Sequence, residues 1–227
     1  NNMEGFDDGA IGGGTRITSP IFIDDEGQRR SQFVDIGFSP VNGNAHLLRG
    51  SAHISKYSKA GYWTAGDIIV NDIQGNQRFQ GRNDCVWNMY VSNPLEDLET
   101  PKYEENSLNY QVIDTLVDGH NAQYLRITYK LTDNIGISDV YSAINRDGAA
   151  HSTDGYGVYN PDTHTATIDM FISEFQPSGY YWVVSAIFAD SARNGKYVYF
   201  SDSPNDQPIQ KIWIDTIDPD TIAPEVD

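Results

Sequence analysis

The sequence has a single cysteine, Cys85, in 227 residues, and no apolar run that approaches the length of a membrane-spanning helix. One cysteine excludes an intrachain disulfide and the paired Cys-x-x-Cys spacing of zinc and redox sites. Because a spanning helix needs about 20 consecutive apolar residues, we expect no membrane insertion. Stability must therefore come from the packed core or from bound ions.

Basic residues are scarce: 15 Lys and Arg stand against 32 Asp and Glu, which gives a formal net charge of -17. This excess repels phosphate-rich polymers at long range, so we expect no nucleic-acid partner. The same excess attracts divalent cations, for which carboxylates are hard oxygen ligands. A surface that is acidic only for solubility remains the alternative.

Catalytic motifs are also absent. The sequence has no HExxH, no G-x-S-x-G, no P-loop and no dinucleotide fingerprint, and its five histidines lack metal-ligand spacing. The many acids make any carboxylate pair uninformative about glycoside hydrolysis. We therefore expect no enzyme activity, and we leave open that the chain is a fragment of a secreted enzyme. The first residues, NNMEGFDDGAIGGG, do not read as a signal peptide, so we interpret the sequence as a soluble fragment or a processed chain.

The chain contains an internal repeat. Residues 60–76, AGYWTAGDIIVNDIQGN, resemble residues 178–194, SGYYWVVSAIFADSARN, 118 positions later. Aromatics make up 12% of the chain, and such residues favour a pleated, half-buried surface. A repeated unit of about a hundred residues, rich in strand formers, predicts two β domains in tandem.

The second half predicts about eight short strands with turn signals between them and no helical stripe. We expect these strands at 108–114, 123–131, 137–144, 157–160 (an edge strand), 163–173, 179–190, 196–201 and 210–217. Many evenly spaced strands are typical of an antiparallel sandwich.

The first half follows the same order from its middle onward. Residues 47–55 match the 163–173 strand, 61–72 match 179–190, and ITSPIFIDDEG resembles ISDVYSAINRDG. Only 16 residues precede Ile17, and the first 14 of them are Gly- and Asp-rich, so we expect the first domain to lack its opening two strands. Truncation of a longer chain, a naturally minimal domain and completion by another molecule are the alternatives.

The turn and corner residues of the two copies resemble a known family. They are Gly61, Tyr62, Trp63, Asp72, Gly75 and Asn76 in the first copy; Gly179, Tyr180, Tyr181, Asp190, Asn194 and Gly195 in the second; and DNIG at 133–136 with Ala223-Pro224. This pattern is similar to the tandem immunoglobulin-like or fibronectin type III-like modules of large bacterial surface and secreted proteins. The resemblance implies two immunoglobulin-like β-sandwiches at 1–98 and 104–217, joined by a linker at 99–103, with 218–227 beginning the next linker.

The strand after each Gly is one residue longer than is usual in that family, which suggests a bulge. Two phases stay open: Tyr62, Ile68 and Val70 face inward along the strand, or Trp63 and Tyr181 lie at a tyrosine corner at its start.

Acidic loops and joints are candidate calcium sites. The candidate ligands are Asp24, Asp25, Glu26, Asp97, Glu99, Glu104, Asp133 and Asp147, with Asp7, Asp8, Glu96, Glu105 and Asp154 in the same loops and joints. Solvated turn acids are the alternative reading. Tyr156 and Tyr159 flank a loop and are candidates for stacking on sugar rings.

We therefore expect a non-catalytic spacer or adhesion module of an extracellular or cell-surface bacterial protein, rigidified by calcium, with flanking domains in a longer chain. The alternative is an accessory polysaccharide-binding region of a secreted depolymerase. The expected partner is a polysaccharide or a cell-surface or matrix component.

Overall fold

The computed structural model describes residues 10–42, 44–81 and 87–220. Every regular element in this part is a β-strand, and every pairing between named strands is antiparallel, which confirms the all-β prediction. The described residues include no helix with the length and apolar character needed to cross a bilayer. The chain divides into two compact units, Asn1–Glu99 and Thr100–Asp227. Cys85, Asp7, Asp8 and Ala223-Pro224 lie outside the described residues.

The first unit is built on one main sheet. Its strands are β1 (Ala10–Thr18), β2 (Phe22–Ile23), β3 (Arg29–Arg30), β4 (Phe33–Val41), β5 (Asn44–Arg49), β6 (Gly61–Asp72), β7 (Gln77–Gln80) and β8 (Asn88–Val91). The sheet order is β5-β4-β1-β6-β7, β8 also pairs with β6, and β2 and β3 form a separate hairpin. Its buried core cluster consists of Ile17, Trp63 and Ala65.

The second unit has a larger sheet. Its strands are β9 (Lys102–Tyr103), β10 (Asn109–Val117), β11 (His120–Thr132), β12 (Ile137–Arg146), β13 (Thr153–Asn160), β14 (Thr165–Ser173), β15 (Gly179–Asp190), β16 (Gly195–Tyr199) and β17 (Ile212–Ile214). The order is β10-β11-β14-β13-β12-β15-β16, with β17 on β15 and β9 on β11. The eight strands expected here are confirmed, and β9 was missed because it is only two residues long.

Strand β13 joins the two halves of this sheet. Its first half pairs with β12 and its second half with β14, so the prediction of an edge strand at 157–160 is wrong. The ring of Tyr129 on β11 lies 5.1 Å from that of Phe188 on β15, although these strands are not neighbours in the sheet. The Tyr129 hydroxyl also lies 2.6 Å from the Ser142 hydroxyl on β12. The sheet therefore curls over a common core.

The two units share one pairing pattern. Strands β5-β4-β1-β6-β7 of the first unit are ordered as β14-β13-β12-β15-β16 of the second, and β8 pairs with β6 as β17 pairs with β15. Among the described residues, the first unit has no counterpart of β9, β10 or β11. The second unit's additional strands β10 and β11 contribute to its larger buried core.

A bulge occurs at the same place in both units. One extra residue lies on β6 between Ala65 and Ile68, and one lies on β15 between Val183 and Ser185. Before the bulge, Trp63 and Tyr181 are buried; after it, Ile68 is partly buried. Both predicted side-chain orientations therefore occur on the strand, one before the bulge and the other after it. The inward placement of Tyr62 is wrong, since its side chain is 63% exposed.

The predicted match between ITSPIFIDDEG and ISDVYSAINRDG is also wrong in register. Ile17 pairs with Ala65 as Ile144 pairs with Val183, so the counterpart of β12 is β1, which includes the glycine run 12–14. A side chain at Gly13 would overlap the carbonyl oxygen of Ile69, so this strand requires glycine for close approach to β6. Because glycine has a low strand propensity, the sequence did not predict this strand.

Candidate functional site

Asp24, a predicted calcium ligand, is bound within its own hairpin. Its carboxylate accepts hydrogen bonds from the Glu26 amide at 3.0 Å, the Gln28 amide at 2.6 Å and Arg30 Nε at 2.8 Å. Burial opposes ionisation, but the hydrogen bonds from Arg30 and the two amides outweigh it and lower the pKa of Asp24. The Asp24 carboxylate therefore stabilises the turn between β2 and β3.

The repeated aspartates close hairpins in the same way. Asp72 accepts from the amides of Gln74 and Asn76 and from Asn76 Nδ2 at 2.7 Å. Asp190 accepts from the amides of Ala192 and Asn194 at 2.7 and 2.9 Å and from Asn194 Nδ2 at 2.8 Å. We call this arrangement the aspartate clasp. The side-chain hydrogen bond from Asn76 is the largest cause of the lowered pKa of Asp72.

The other predicted calcium ligands are distributed over several turns and loops of the two units. In the first unit, Asp25 and Glu26 are exposed on the β2–β3 turn, while buried Asp97 accepts the Glu99 amide at 3.2 Å. In the second unit, Glu104 is exposed near β9, and exposed Asp147 lies 3.6 Å from Lys211. Among the described residues, no three of these acids lie together within one unit as a metal site would require.

One pair of carboxylates does come together in the second unit. An oxygen of Asp133, in the β11–β12 loop, lies within 4.8 Å of an oxygen of Asp190 at the end of β15. Asp190 is fully buried and Asp133 is half-buried. Two carboxylates this close repel each other in a poorly solvated site, and a cation between them would relieve that repulsion. The sequence indicated Asp133 as a ligand but Asp190 only as a turn residue.

The two predicted sugar-binding tyrosines point to opposite faces of β13. Tyr156 is 75% exposed, and its ring meets the edge of Tyr141 at 5.4 Å. Tyr159 packs against the core, and its hydroxyl donates to the carbonyl of Leu131 at 3.2 Å. Because residues three apart on a strand face opposite sides, the expected joint platform of Tyr156 and Tyr159 is wrong.

Tyr156 instead belongs to a row of outward-facing side chains that crosses four strands. Tyr156 pairs with Tyr141, Tyr141 with Ile187, and Ile187 with Tyr197. We call these four residues the tyrosine row. Tyr197 is 51% exposed at its far end. Strand alternation alone could have placed Tyr141 and Tyr197 outside, but only the register aligns them.

A second exposed aromatic group recurs in both units. Tyr180 and Trp213 meet edge to face at 5.2 Å, and their counterparts Tyr62 and Tyr90 do so at 5.1 Å. Such cross-strand pairs stabilise strand pairing, which is sufficient reason for their presence.

A cleft of about 550 Å³ opens where β13 separates from β14. Its volume lies within the usual range for small-ligand sites. Gly155 lies close to Met170, since a side chain at this position would press against the Met170 side chain. Its rim carries Arg146, His151, Asp154, Tyr156 and Gln176.

Searches with protein-family models and among curated proteins found no match. Among solved structures, the chain is similar to a leucine-rich repeat protein from Bacteroides thetaiotaomicron, with 14% identity and a TM-score of 0.24. The match covers 93% of this chain and 23% of that structure.

Proposed function

We propose that the chain consists of two immunoglobulin-like β-sandwich modules that serve as a non-catalytic spacer or adhesion segment of an extracellular bacterial protein. The observation that carries the proposal is the repetition: strand order, bulge position and aspartate clasp recur in two consecutive units. A module copied in tandem with its turns intact is typical of segments that set distance or present surface.

Two further features support the immunoglobulin-like assignment. In the second unit, β10, β11 and β14 pack over β12, β15 and β16, and β13 changes partner between them. The Tyr181 hydroxyl donates to the carbonyl of Pro177 at 2.9 Å, four residues upstream, as in a tyrosine corner. In the first unit, Trp63 Nε1 donates to the carbonyl of Lys59 at 2.7 Å in the equivalent place.

We expect calcium to raise the melting temperature of this spacer by binding at Asp133 and Asp190. A ligand that binds only the folded state stabilises it by about 2.7 kcal/mol at a hundred times its Kd. The measurement is calorimetric melting in excess calcium and in chelator. The Asp133→Asn variant should be less stable than the wild type in calcium and more stable in chelator, because it loses both a ligand and a repulsion.

The exposed Asp147→Asn variant is the matched control and should keep the calcium shift. An unchanged wild-type melting temperature would remove calcium from the proposal and leave the spacer role in place.

A second candidate function, polysaccharide binding, is favoured by the tyrosine row. Its three exposed or partly exposed phenol rings, with Ile187 between the last two, form a surface suited to stacking against sugar faces. The formal charge of -17 favours a neutral polymer over a polyanion.

We expect the full chain to be retarded in gels containing a neutral polysaccharide, and Tyr156→Ala with Tyr197→Ala to lose that retardation. Each ring contributes about 1 kcal/mol, or about fivefold in Kd. Tyr62→Ala, an exposed aromatic of the first unit, should bind as the wild type does. Equal retardation of the double variant and the wild type would reject this function.

A further inference from the structure

Residues 50–55 of the first unit correspond to a part of β14 that is paired with a neighbouring strand in the second unit. Leu48 and Arg49 of β5 pair with β4 as Ala166 and Thr167 of β14 pair with β13. By this register, residues 50–55 correspond to 168–173, which continue β14 and pair with β11. The strand predicted over 47–55 therefore ends at Arg49, because no described strand of the first unit pairs with residues 50–55.

In the part of the first unit that the structure describes, no strand covers the inner face beside this segment as β11 does in the second unit. Strand β11 contributes four fully buried large side chains to the second core: Leu125, Ile127, Tyr129 and Leu131. Met170, which pairs with Leu125, is buried, whereas its counterpart Ala52 in the first unit is exposed. Ile36 and Ile54 are only partly buried against the first core. One more strand with large apolar residues would complete this core.

The charge of the segment indicates the chemistry of that strand. Residues 49–59 carry Arg49, His53, Lys56 and Lys59 and no acidic residue, in a chain with 32 acids. Lys59 is bound to Glu96 at 3.0 Å. By the register of β14, Arg49 and His53 share the outward face, so acidic residues opposite them would be stabilised.

We propose that residues 50–55 form an acceptor edge for an extended strand of another polypeptide. The incoming strand is apolar and large at alternate positions, carries acidic residues opposite Arg49 and His53, and pairs antiparallel through main-chain hydrogen bonds. A second copy of the same segment fits less well, because Gly50 and Ala52 are much smaller than the residues of β11 that fill this place in the second unit.

The test uses the full chain and a synthetic peptide. The peptide has the sequence of residues 122–131 with Tyr124→Glu and Thr128→Glu, which the register places opposite His53 and Arg49. We expect saturable binding by isothermal titration calorimetry and a higher melting temperature of the first unit. A scrambled peptide should not bind.

The Ala52→Glu variant tests the site. Because Ala52 is exposed, circular dichroism should show an unchanged fold, whereas a charge on the inner face should weaken peptide binding at least about tenfold. Ser51→Asn, on the opposite face, should bind normally. Absence of saturable binding, or equal affinity for Ala52→Glu, would overturn the proposal. Two other results would also overturn it, because each assigns the edge to another occupant. The first is a dimer of the chain in sedimentation that Ala52→Glu dissociates. The second is loss of peptide binding when the chain is extended by residues before Asn1.

Discussion

Replacing Asp190 with alanine is expected to lower the free energy of unfolding of the second unit by about 3 kcal/mol, because a buried aspartate clasp loses its acceptor. The amides of Ala192 and Asn194 and the Nδ2 group of Asn194 all donate to this carboxylate. The side chains of Asp190 and Asn194 are buried, so water cannot replace the lost acceptor. Urea denaturation followed by circular dichroism measures the change.

Two comparisons isolate the clasp. Asp72→Ala removes the same hydrogen bonds from the more solvated clasp of the first unit. Because water can hydrogen-bond to the freed amides there, the free energy of unfolding should fall by less than in Asp190→Ala. In an Asp133→Asn background, Asp190→Ala should cost more than in the wild type, because it no longer relieves a repulsion. Equal losses at Asp72 and Asp190 would show that burial of the clasp is irrelevant to its strength.

The repeat could be predicted because the residues that define it act locally. Gly61 and Gly179 begin their strands, and Asp72 and Asp190 close hairpins through amides two and four residues ahead. Such short-range chemistry leaves a spacing in the sequence. The 118-residue offset of these motifs therefore located β6 and β15.

The features of the fold that could not be predicted depend on which strands lie side by side. The glycine run in β1 has no strand propensity, and its reason is the close approach of Gly13 to β6. Residues 50–55 have a strand counterpart in β14 but no described strand partner. Sequence periodicity reports neither the neighbour of a strand nor its absence.

Residue type alone could not show which candidate site residues lie together. Composition identified Asp24 as an acid in a loop, but its Arg30 and amide partners come from the hairpin geometry. Asp133 and Asp190 come close although they are 57 positions apart in the sequence. Tyr156 and Tyr197 are aligned only through three successive strand pairings. Residue type therefore predicted candidates, and only the fold could group them.

Replacing Trp63 with alanine is expected to unfold the first unit selectively. Truncation of a fully buried large aromatic costs about 3–5 kcal/mol, which approaches the whole stability of a small domain. The buried core cluster of the first unit has three described members, of which Trp63 is by far the largest, whereas that of the second unit has eighteen. The variant also loses the hydrogen bond from Nε1 to the carbonyl of Lys59.

Hydrogen exchange with mass spectrometry separates the units: amides of β1 and β6 should lose protection in Trp63→Ala, while those of β11 and β15 keep it. Tyr62→Ala is the matched control on the same strand, since its exposed ring contributes only the pair with Tyr90. It should cost no more than about 1.5 kcal/mol and leave β1 protected. If β1 stays protected in Trp63→Ala, the stability of the first unit does not depend on this small core, and the bulged strand must be held by its backbone pairing with β1 instead.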